Sequence, residues 1–404
     1  MGLIVQKFGG TSVADTERIR HVAKIITDTY AAGNQVVVVL SAQGDTTDDL
    51  IAKALEIYPG ASNREMDMLL STGEQISVSL CAMAVEALGY PVISLTGWQA
   101  GIYTNTVSKN ARIKKIDPER IEQELDRNRI VIVTGFQGID RYQDITTLGR
   151  GGSDTSAVAL AAVLKADLCQ IYTDVDGVYT ADPRKVEGAR KLEEVTYDEM
   201  LELATLGAQV LHNRSVELAK KFRVNLEVLS SFTGNTGTKV KGVVKRMEKS
   251  YISSVAKNKN IARIALIGVP NEIGTSFKVF SLLANHHINV DIILQGIGHE
   301  EGKDICFTVA EDDLEQAEKL LLENQEYIRF ARLETNRQVA KVSVVGAGMI
   351  NNPGVAARLF EALYDAHINI NMISTSEIKI SVIVNEKEAD RAVQAIHDKF
   401  FAVS

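Results

Sequence analysis

The residues near the start of the chain that could do chemistry are Lys7, Gly9, Gly10, Thr11 and Ser12, at the end of an apolar run. Adjacent glycines let backbone N–H groups approach a phosphate closely, and a lysine supplies a point charge for its oxygens. A hydroxyl residue can cap the helix predicted to follow, whose N-terminus also favours an anion. The stretch predicts a phosphate site, although the same pattern is also typical of a tight turn beside a solvated lysine. It is not a Walker loop, because no Gly-x-x-x-x-Gly-Lys-Ser/Thr pattern occurs.

A second glycine-rich loop spans residues 149–154 and opens a helix predicted over residues 155–164. Arg150 in this loop offers a planar fork that can bind a carboxylate or a phosphate through two hydrogen bonds. Asp154, at the start of the helix, either orients Lys7 or a metal-bound nucleotide, or simply caps the helix. Ser153 is not predicted to be a hydrolase nucleophile, since no Gly-x-Ser-x-Gly elbow surrounds it.

Other polar residues have both a functional and a structural interpretation. Glu74 lies in a Ser-Thr-Gly-Glu stretch predicted to interrupt a helical segment, where it either holds an ammonium group or serves as a first-turn helix acid. Thr47 is either a site residue or an N-cap. Asp174, Asp182 and Arg184 follow a predicted strand and form either the rim of a nucleotide site or ordinary turns.

The elements that must position these residues alternate between strands and helices. Near-continuous apolar or β-branched runs predict buried strands at residues 35–40, 91–95, 129–134 and 168–173. With helices between them, the strands predict an α/β domain with a largely parallel, twisted sheet. Ligands of such sheets bind beyond the C-terminal ends of the strands, where these loops fall. We therefore expect the loops to converge on one edge of the sheet.

An internal repeat lies beyond a polar, glycine-bearing linker over residues 233–249. Residues 268–274 and 287–293 match residues 348–354 and 367–373 at an offset of 80 residues. Each copy has the strand and helix order of a split βαβ unit, which predicts a paired module. Within the second copy, the stretch Val344–Asn351 imitates the start of a dinucleotide fingerprint. Its membership of the repeat and the missing third glycine argue against NAD binding there.

Bulk composition excludes several classes of protein. The 404 residues carry a net charge of −8, so a nucleic-acid role has no electrostatic support. No apolar run approaches the roughly 20 residues of a membrane span, and the N-terminus lacks the apolar core of a signal peptide. The three cysteines lie far apart in apolar segments, which favours buried thiols in a reducing cytoplasm. The histidines show no metal-ligand spacing, so no protein metal site is expected.

Four motifs, taken together, resemble those of the aspartate kinases of the amino-acid-kinase fold. They are Lys7–Val13, Ser71–Glu74, Thr147–Asp154 and Tyr172–Gly177, and the tandem repeat resembles paired ACT modules. The single kinase domain is similar to that of the monofunctional, lysine-sensitive bacterial type. The resemblance implies a carbamate-kinase-like α/β domain with a mainly parallel sheet over residues 1–245. It implies two ferredoxin-like βαββαβ ACT modules over residues 252–335 and 336–404, with a strand near 252–256 lent to the second.

The same resemblance implies an activity: ATP-dependent phosphorylation of the β-carboxylate of L-aspartate to 4-phospho-L-aspartate. This is the first step toward lysine (through diaminopimelate), threonine and methionine, in the cytoplasm, with Mg²⁺ bound with the nucleotide. By motif, Lys7 and Asp154 would be catalytic. The implied ATP-binding residues are Lys7, Phe8, Gly9, Gly10, Ser41, Thr173, Asp174, Tyr179, Asp182 and Arg184. The implied aspartate-binding residues are Thr47, Glu74, Arg150, Gly151, Gly152 and Ser153.

The paired ACT modules imply feedback control by lysine, threonine or both, bound between modules. The implied regulatory residues are Asn271, Ile273, Gly274, Asn289, Asp291 and Gln295 in the first copy, and Asn352, Gly354, Val355, Asn369, Asn371, Thr375 and Ser376 in the second. The first copy has Ile273 where the second has Pro353, a departure that puts the effector of the first module in question.

Implied partners are a homo-oligomer formed through the ACT modules, or a hetero-oligomer with a short regulatory subunit that starts at Met247. No nucleic-acid or membrane partner is expected. Two alternatives stay open: a kinase acting on glutamate, acetylglutamate or a nucleotide, and an amino-acid sensor with an inactive kinase domain.

Overall fold

The computed structural model describes residues 2–206, 210–244, 251–296 and 302–401. The chain divides into two units. The N-terminal unit comprises residues 1–179 and 191–247, and the C-terminal unit comprises residues 180–190 and 248–404. Residues 180–190 therefore fold with the C-terminal unit, which the expected domain boundary at residue 245 does not anticipate. Met247, the expected start of a short subunit, lies outside the described residues.

The described strands of the N-terminal unit form two sheets. In chain order they are β1 (Leu3–Phe8), β2 (Gln35–Leu40), β3 (Val92–Leu95), β4 (Ile102–Thr104), β5 (Ile113–Ile116), β6 (Ile130–Thr134), β7 (Gln137–Ile139), β8 (Ile145–Thr147), β9 (Leu168–Thr173), β10 (Glu194–Thr196), β11 (Leu226–Ser230) and β12 (Thr238–Lys241). The large sheet has the order β10-β12-β11-β9-β1-β2-β6-β3, and the strands from β11 to β3 run parallel. The small sheet has the order β5-β4-β7-β8. The prediction of a mainly parallel sheet is confirmed.

Seven described helices cover the large sheet and the loops of the N-terminal unit. They are α1 (Thr16–Ala31), α2 (Thr46–Ile57), α3 (Asn63–Ala87), α4 (Glu119–Asp126), α5 (Gly152–Val163), α6 (Tyr197–Thr205) and α7 (Asn213–Phe222). Strands β2 and β6 are buried almost throughout, because their β-branched side chains pack against helices on both faces. The cap of α1 is Asp15, whose carboxylate accepts the Arg18 N–H. Thr11 and Ser12 do not cap it, because residues 10–13 form a 3₁₀ turn.

Helix α3 runs without a break through Ser71–Glu74, so the predicted interruption is wrong. Its polar residues on the inward face, including Asp67 and Glu74, are buried with the apolar ones, and burial holds the helix continuous. Among the described residues, α3 is the one helix that is long and apolar enough to cross a membrane by length and composition. Half of its apolar window is buried inside the protein, as expected of a core helix.

The C-terminal unit contains two modules built on antiparallel sheets. Its described strands are β13 (Ser254–Asn258), β14 (Ala262–Val269), β15 (Val290–Gln295), β16 (Lys303–Val309), β17 (Arg332–Asn336), β18 (Val339–Val345), β19 (Met372–Thr375) and β20 (Lys379–Asn385). Its described helices are α8 (Thr275–Asn285), α9 (Leu314–Glu323), α10 (Gln325–Ile328), α11 (Val355–Asp365) and α12 (Ala389–Phe401). The first sheet has the order β15-β16-β14-β17 and the second β13-β18-β20-β19. Strand β13 precedes the first module in sequence yet pairs with β18 of the second.

Residues 180–190 complete the second module of the C-terminal unit. Ala181 and Val186 are each 3% exposed within its apolar core. The Thr180 carbonyl accepts the Val255 N–H at 2.8 Å, and the Thr180 hydroxyl lies 2.9 Å from Nε2 of His397. The segment is therefore an integral part of this module's packing.

Candidate active site

The ends of β1 and the start of α5 bring together a buried ion pair. Nζ of Lys7 lies 2.7 Å from Oδ1 of Asp154, and both residues are 9% exposed. Asp154 lies in the first turn of α5, whose N-cap is Gly151, so it does not cap the helix. The pair places one cation, held by one carboxylate, at the C-terminal edge of the parallel sheet. Such a cation can neutralise charge on a phosphoryl group.

The loop after β1 has fewer backbone N–H groups available to a phosphate than its two glycines suggest. The Gly9 N–H donates to the Tyr172 carbonyl at 3.3 Å, whereas Gly10 opens the 3₁₀ turn. Phe8 is fully buried and stacks on Tyr172 with ring centroids 4.5 Å apart, so only its backbone is available to a nucleotide. Ser41 lies beside this loop, because its N–H donates to the Phe8 carbonyl at 3.2 Å.

Glu74 presents a buried carboxylate to the loop after β2. Its Oε1 accepts the Ala42 N–H at 3.1 Å, and its Oε2 has no hydrogen-bond partner among the described residues. Burial raises the pKa of the Glu74 carboxyl to about 8. Because α3 is continuous, Glu74 is not a first-turn acid, and an unpaired buried oxygen is suited to an ammonium group. Thr47 lies in the first turn of α2, one residue past its start, and is not the N-cap.

The Arg150 loop lines an open, basic cleft. The cleft has a volume of about 470 Å³ and is lined by Lys109, Arg112, Arg150, His212 and Arg214, among others. Gly151 has φ +66°, and a Cβ atom there would lie 2.2 Å from Cγ of His212, so only glycine fits. Burial lowers the pKa of His212, which favours the neutral imidazole. The arrangement can bind a small, doubly anionic ligand through guanidinium groups.

Gly151 follows Arg150 as the N-cap of α5, Gly152 and Ser153 are the first residues of the helix, and Ser153 is buried. The predicted aspartate-binding residues of this loop therefore sit at a helix N-terminus, next to the Lys7–Asp154 pair. A helix N-terminus of this kind favours a negatively charged group.

The residues predicted for the nucleotide divide between the two units. Thr173 and Asp174 follow β9 in the N-terminal unit, and the Thr173 hydroxyl donates to Oδ1 of Asp174 at 3.0 Å. Tyr179 also belongs to this unit. Asp182 and Arg184 belong to the C-terminal unit, where the Arg184 guanidinium donates to both carboxylate oxygens of Asp182 at 3.0 and 3.2 Å.

One residue of this region was not predicted as a site residue. The Asp176 carboxylate accepts hydrogen bonds from the Tyr179 hydroxyl at 2.6 Å and the Asn235 amide at 3.2 Å. It also forms an ion pair with Lys191 at 3.3 Å. The Tyr179 hydrogen bond lowers the pKa of Asp176, and the same bond raises the pKa of Tyr179 to about 12. The sequence pattern that could have pointed to Asp176 is the Asp-Val-Asp-Gly stretch over residues 174–177. Asp176 is its second acid, and its contacts order the loop that follows β9.

In the C-terminal unit, the predicted regulatory loops have equivalent backbones. Gly274 and Gly354 are the N-caps of α8 and α11, with φ of +91° and +99°. The first module has Ile273 where the second has Pro353, yet the glycine that follows has the same conformation in both. Ile273 is fully exposed. Loop and strand meet in the first module, because the Ser276 hydroxyl donates to Oε1 of Gln295 at 2.8 Å.

Asp291 of the first module forms an ion pair with Lys341, which is 2% exposed in β18 of the second. Asn271 and Asn289 are exposed beside α8 and β15.

The corresponding residues of the second module lie around α11 and β19. The Asn352 amide donates to the Gly348 carbonyl at 2.7 Å, and the Asn371 N–H donates to the Ile383 carbonyl at 2.8 Å. Val355 is buried, whereas the remaining predicted residues are exposed, namely Asn369, Thr375 and Ser376. Gly346, part of the apparent dinucleotide motif, is explained by packing, since a Cβ atom there would lie 2.3 Å from the Tyr251 carbonyl oxygen.

No cluster of three or more His, Cys, Asp or Glu residues is placed to hold a metal ion in the part of the chain that the structure describes. Among the described residues, Asp154 is the carboxylate that contacts Lys7, and it is already paired with the lysine ammonium. These residues fit a divalent cation that arrives on phosphate oxygens rather than one caged by protein ligands.

The fold places the chain among the amino acid kinases that carry ACT modules. The amino acid kinase family matches residues 2–230, and the ACT domain matches residues 263–324 and 342–400. An aspartokinase of Bacillus sp. (strain MGA3) is 51% identical over 400 residues, covering 99% of this chain and 97% of the relative. Aspartokinase 2 of Bacillus subtilis (strain 168) is 49% identical, with 99% and 98% coverage. The chain belongs to the aspartokinase family, and it is a kinase, that is, a phosphotransferase.

Solved structures agree with this assignment. E. coli aspartokinase III in complex with aspartate and ADP, described as the R-state, has a TM-score of 0.80 at 27% identity, covering 99% of this chain and all of that one. The complex of the same enzyme with lysine and aspartate, described as the T-state, has a TM-score of 0.78, with 99% coverage of each chain. Aspartate kinase from Synechocystis is 44% identical with a TM-score of 0.56, covering 99% of this chain and 70% of that one.

Proposed function

We propose that the chain transfers the γ-phosphoryl group of ATP to the β-carboxylate of L-aspartate, giving 4-phospho-L-aspartate. The observation that carries this proposal is the Lys7–Asp154 ion pair, which lies beside the start of α5 and the Arg150 loop. The acceptor carboxylate is ionised at neutral pH, so the reaction requires no general base. Catalysis then consists of aligning the two substrates and neutralising charge on the phosphoryl group in transit.

On the nucleotide side, the Lys7 ammonium binds the β- and γ-phosphate oxygens, and Asp154 holds that ammonium in place at 2.7 Å. The Gly10 turn and Ser41 border the phosphates. Thr173, Asp174 and Tyr179 line the nucleoside, and Asp182 and Arg184 belong to the same set by motif. Mg²⁺, when bound with ATP, would neutralise phosphate charge and orient the γ-phosphoryl group.

On the acceptor side, Arg150 binds the α-carboxylate of aspartate and Glu74 binds its ammonium group. Thr47 and the start of α5, from Gly151 to Ser153, border the reacting carboxylate. The unpaired Oε2 of Glu74 supports this assignment, because a bound ammonium would supply the hydrogen bond that the buried oxygen lacks. Binding of that ammonium favours the ionised form of the Glu74 carboxyl.

We also propose feedback control by lysine, threonine or both at the ACT modules, placed at residues 252–335 and 336–404. The binding regions are the loops at Gly274 and Gly354 with the strands that follow α8 and α11. An effector acts there only if it binds two states of the enzyme with different affinities. The proposal extends to assembly through the ACT modules, a short subunit starting at Met247, a place early in lysine, threonine and methionine synthesis, and a cytoplasmic location.

The test of the reaction is turnover with ATP and L-aspartate, with the acyl phosphate trapped as a hydroxamate, in the presence and absence of lysine and threonine. Aspartate-dependent hydroxamate that falls with either amino acid supports both the reaction and the control. Product formation that ignores both amino acids refutes them as effectors. Absence of aspartate-dependent product refutes the reaction and favours the amino-acid sensor.

The acceptor site is tested by Arg150→Ala, which should raise the KM for aspartate at least tenfold and leave the KM for ATP nearly unchanged. Arg64→Ala is the matched control, because Arg64 is a surface arginine paired with Asp144 at 2.8 Å. Equal KM values for aspartate in the two variants would mean that Arg150 does not bind aspartate.

A further inference from the structure

Asp67 is a buried carboxylate outside the predicted site that binds the backbone of two segments next to the Arg150 loop. It is fully buried on α3. Its oxygens accept the Lys109 N–H at 3.0 and 3.1 Å, the Thr147 N–H at 3.0 Å and the Thr147 hydroxyl at 2.7 Å. A carboxylate with this many donors is fully satisfied. The Lys109 N–H reaches both oxygens, whereas each oxygen accepts one Thr147 donor, so replacing either oxygen leaves one buried Thr147 donor unpaired.

The two segments that Asp67 holds are hydrogen-bonded to each other beside Arg150. The Ala111 N–H donates to the Thr147 carbonyl at 2.9 Å. Gly149, with φ +78°, approaches the first segment so closely that a Cβ atom would lie 2.8 Å from the Lys109 carbonyl oxygen. Arg150 follows Gly149 directly, so its backbone is placed by these contacts.

Arg214 holds the same two segments through their carbonyl groups. Its guanidinium donates to the Leu148 carbonyl at 2.7 Å and to the Ala111 carbonyl at 2.6 Å. The same two segments are therefore held from both kinds of backbone group: Asp67 accepts from their N–H groups, and Arg214 donates to their C=O groups. This two-sided arrangement leaves the Arg150 backbone little freedom.

Helix α3 connects this arrangement to the other end of the acceptor site. Asp67 and Glu74 are seven residues apart, so they lie on the same face of the helix. Asp67 reaches the segments beside Arg150, and Glu74 reaches the Ala42 N–H after β2. One rigid helix thus fixes the spacing between the group assigned to the substrate's ammonium and the group assigned to its α-carboxylate.

We propose that Asp67 is a positioning residue for the acceptor substrate: through Lys109 and Thr147 it sets where Arg150 presents its guanidinium to the α-carboxylate. The proposal rests on the proposed function, because it takes Arg150 as the group that binds the substrate carboxylate. Asp67 itself touches neither substrate. Removal of its hydrogen bonds should therefore weaken aspartate binding and spare ATP.

The test measures both KM values in Asp67→Asn, with Asp140→Asn as the matched control. Asp140 is also buried, and it accepts two backbone N–H groups, from Tyr142 and Asp144, within the turn between β7 and β8. We expect Asp67→Asn to raise the KM for aspartate about tenfold or more, with the KM for ATP within about twofold. The control should leave both KM values within about twofold.

If Asp67→Asn does not fold, Thr147→Val carries the test, because it removes only the 2.7 Å hydroxyl bond to Asp67. It should raise the KM for aspartate about threefold or more, and Thr147→Ser should restore it. A KM for aspartate within twofold of wild type in folded Asp67→Asn or Thr147→Val, or an equal rise in both KM values, overturns the proposal.

A double variant separates positioning from general loss of structure. If Asp67 acts through Arg150, Asp67→Asn combined with Arg150→Ala should have the same KM for aspartate as Arg150→Ala alone. Additive effects on the KM would overturn the proposal. Failure of the proposed function is recognised separately, since wild-type enzyme would then show no aspartate-dependent turnover, or Arg150→Ala would leave the KM for aspartate unchanged.

Discussion

The buried carboxyl of Glu74 predicts a specific pH dependence of stability. Its pKa is raised by burial from 4.5 to about 8, so the folded state binds this proton more tightly than the unfolded state does. Its contribution to stability is therefore fully present below pH 4.5 and is lost as the pH rises toward 8. Each pH unit well inside that window lowers the free energy of unfolding by about 1.4 kcal/mol, and the loss between pH 5.5 and 7.5 is about 2–3 kcal/mol.

The perturbation that isolates this effect is Glu74→Gln. The amide keeps an oxygen for the Ala42 N–H, and its NH₂ group replaces the unpaired Oε2, at a cost that does not vary with pH. The variant and the wild type share every other titrating group. The difference in their unfolding free energies should therefore shift by about 2–3 kcal/mol in favour of the variant from pH 5.5 to pH 7.5.

The assay is urea unfolding of both proteins, without substrates, at several pH values across this window. Parallel stability profiles would refute the reasoning, because they would mean that Glu74 is ionised in the folded protein throughout. A second readout is kcat/KM for aspartate, which requires the ionised carboxyl. In wild type it should rise about fifteenfold from pH 6.5 to pH 8, as the ionised fraction rises from about 3% to about half. In Glu74→Gln it should be low and should lack this rise.

Three further predictions follow from single contacts. Lys7→Met should lower kcat on the order of a hundredfold in the hydroxamate assay, since methionine keeps the length of the side chain but not its charge; a loss below tenfold would contradict its role. Gly151→Ala should cost about 1–3 kcal/mol in urea unfolding, because its Cβ would lie 2.2 Å from Cγ of His212 at positive φ; unchanged stability would show that the loop can shift. Thr180→Val should lower stability by about 1–3 kcal/mol, because it removes the hydroxyl that contacts His397 and accepts the Arg190 N–H; Thr173→Val, which lacks a buried partner of this kind, should cost less, and equal costs would contradict the buried role of Thr180.

The sequence predicts the parallel sheet because strong local signals define its strands. For Asp154 it leaves two alternatives open, pairing with Lys7 or capping the helix, and the structure shows the pair. Strands β2 and β9 have the predicted bounds, since runs of buried β-branched and apolar residues leave little choice of structure. Their parallel order then brings Lys7 near the start of α5. The break predicted at Glu74 is wrong because hydroxyl residues and glycine disfavour a helix locally, whereas the packing of α3 outweighs that preference.

Asp67 shows why the support of a site is harder to predict than the site. An acid in a helical segment ordinarily lies on a solvated face, and nothing in its neighbours indicates burial. Its partners Lys109 and Thr147 are 42 and 80 residues away in sequence. Only the fold brings them together. Residues that touch a ligand have motifs of their own, whereas the residues that hold those motifs in place depend on long-range packing.

Residues 180–190 illustrate the same point for the regulatory part of the chain. The motif that follows β9 assigns Asp182 and Arg184 to the nucleotide, yet the apolar residues that flank them in sequence, Ala181 and Val186, are buried in the core of the second ACT module. The chain leaves the N-terminal unit after Tyr179 and returns at Lys191, which form an isolated β-bridge. The packing of the second module therefore decides where Asp182 and Arg184 lie.

This arrangement has a consequence for a regulatory subunit that begins near Met247. Such a subunit would contain both ACT modules but not residues 180–190. Its second module would lack two buried apolar side chains and the carbonyl group that accepts the Val255 N–H at the edge strand β13. A missing core side chain leaves a cavity, and an unpaired edge N–H attracts a new partner. In a short subunit, the second ACT module would therefore expose a surface that residues 180–190 cover in the full chain, although the sequence of the module itself is identical.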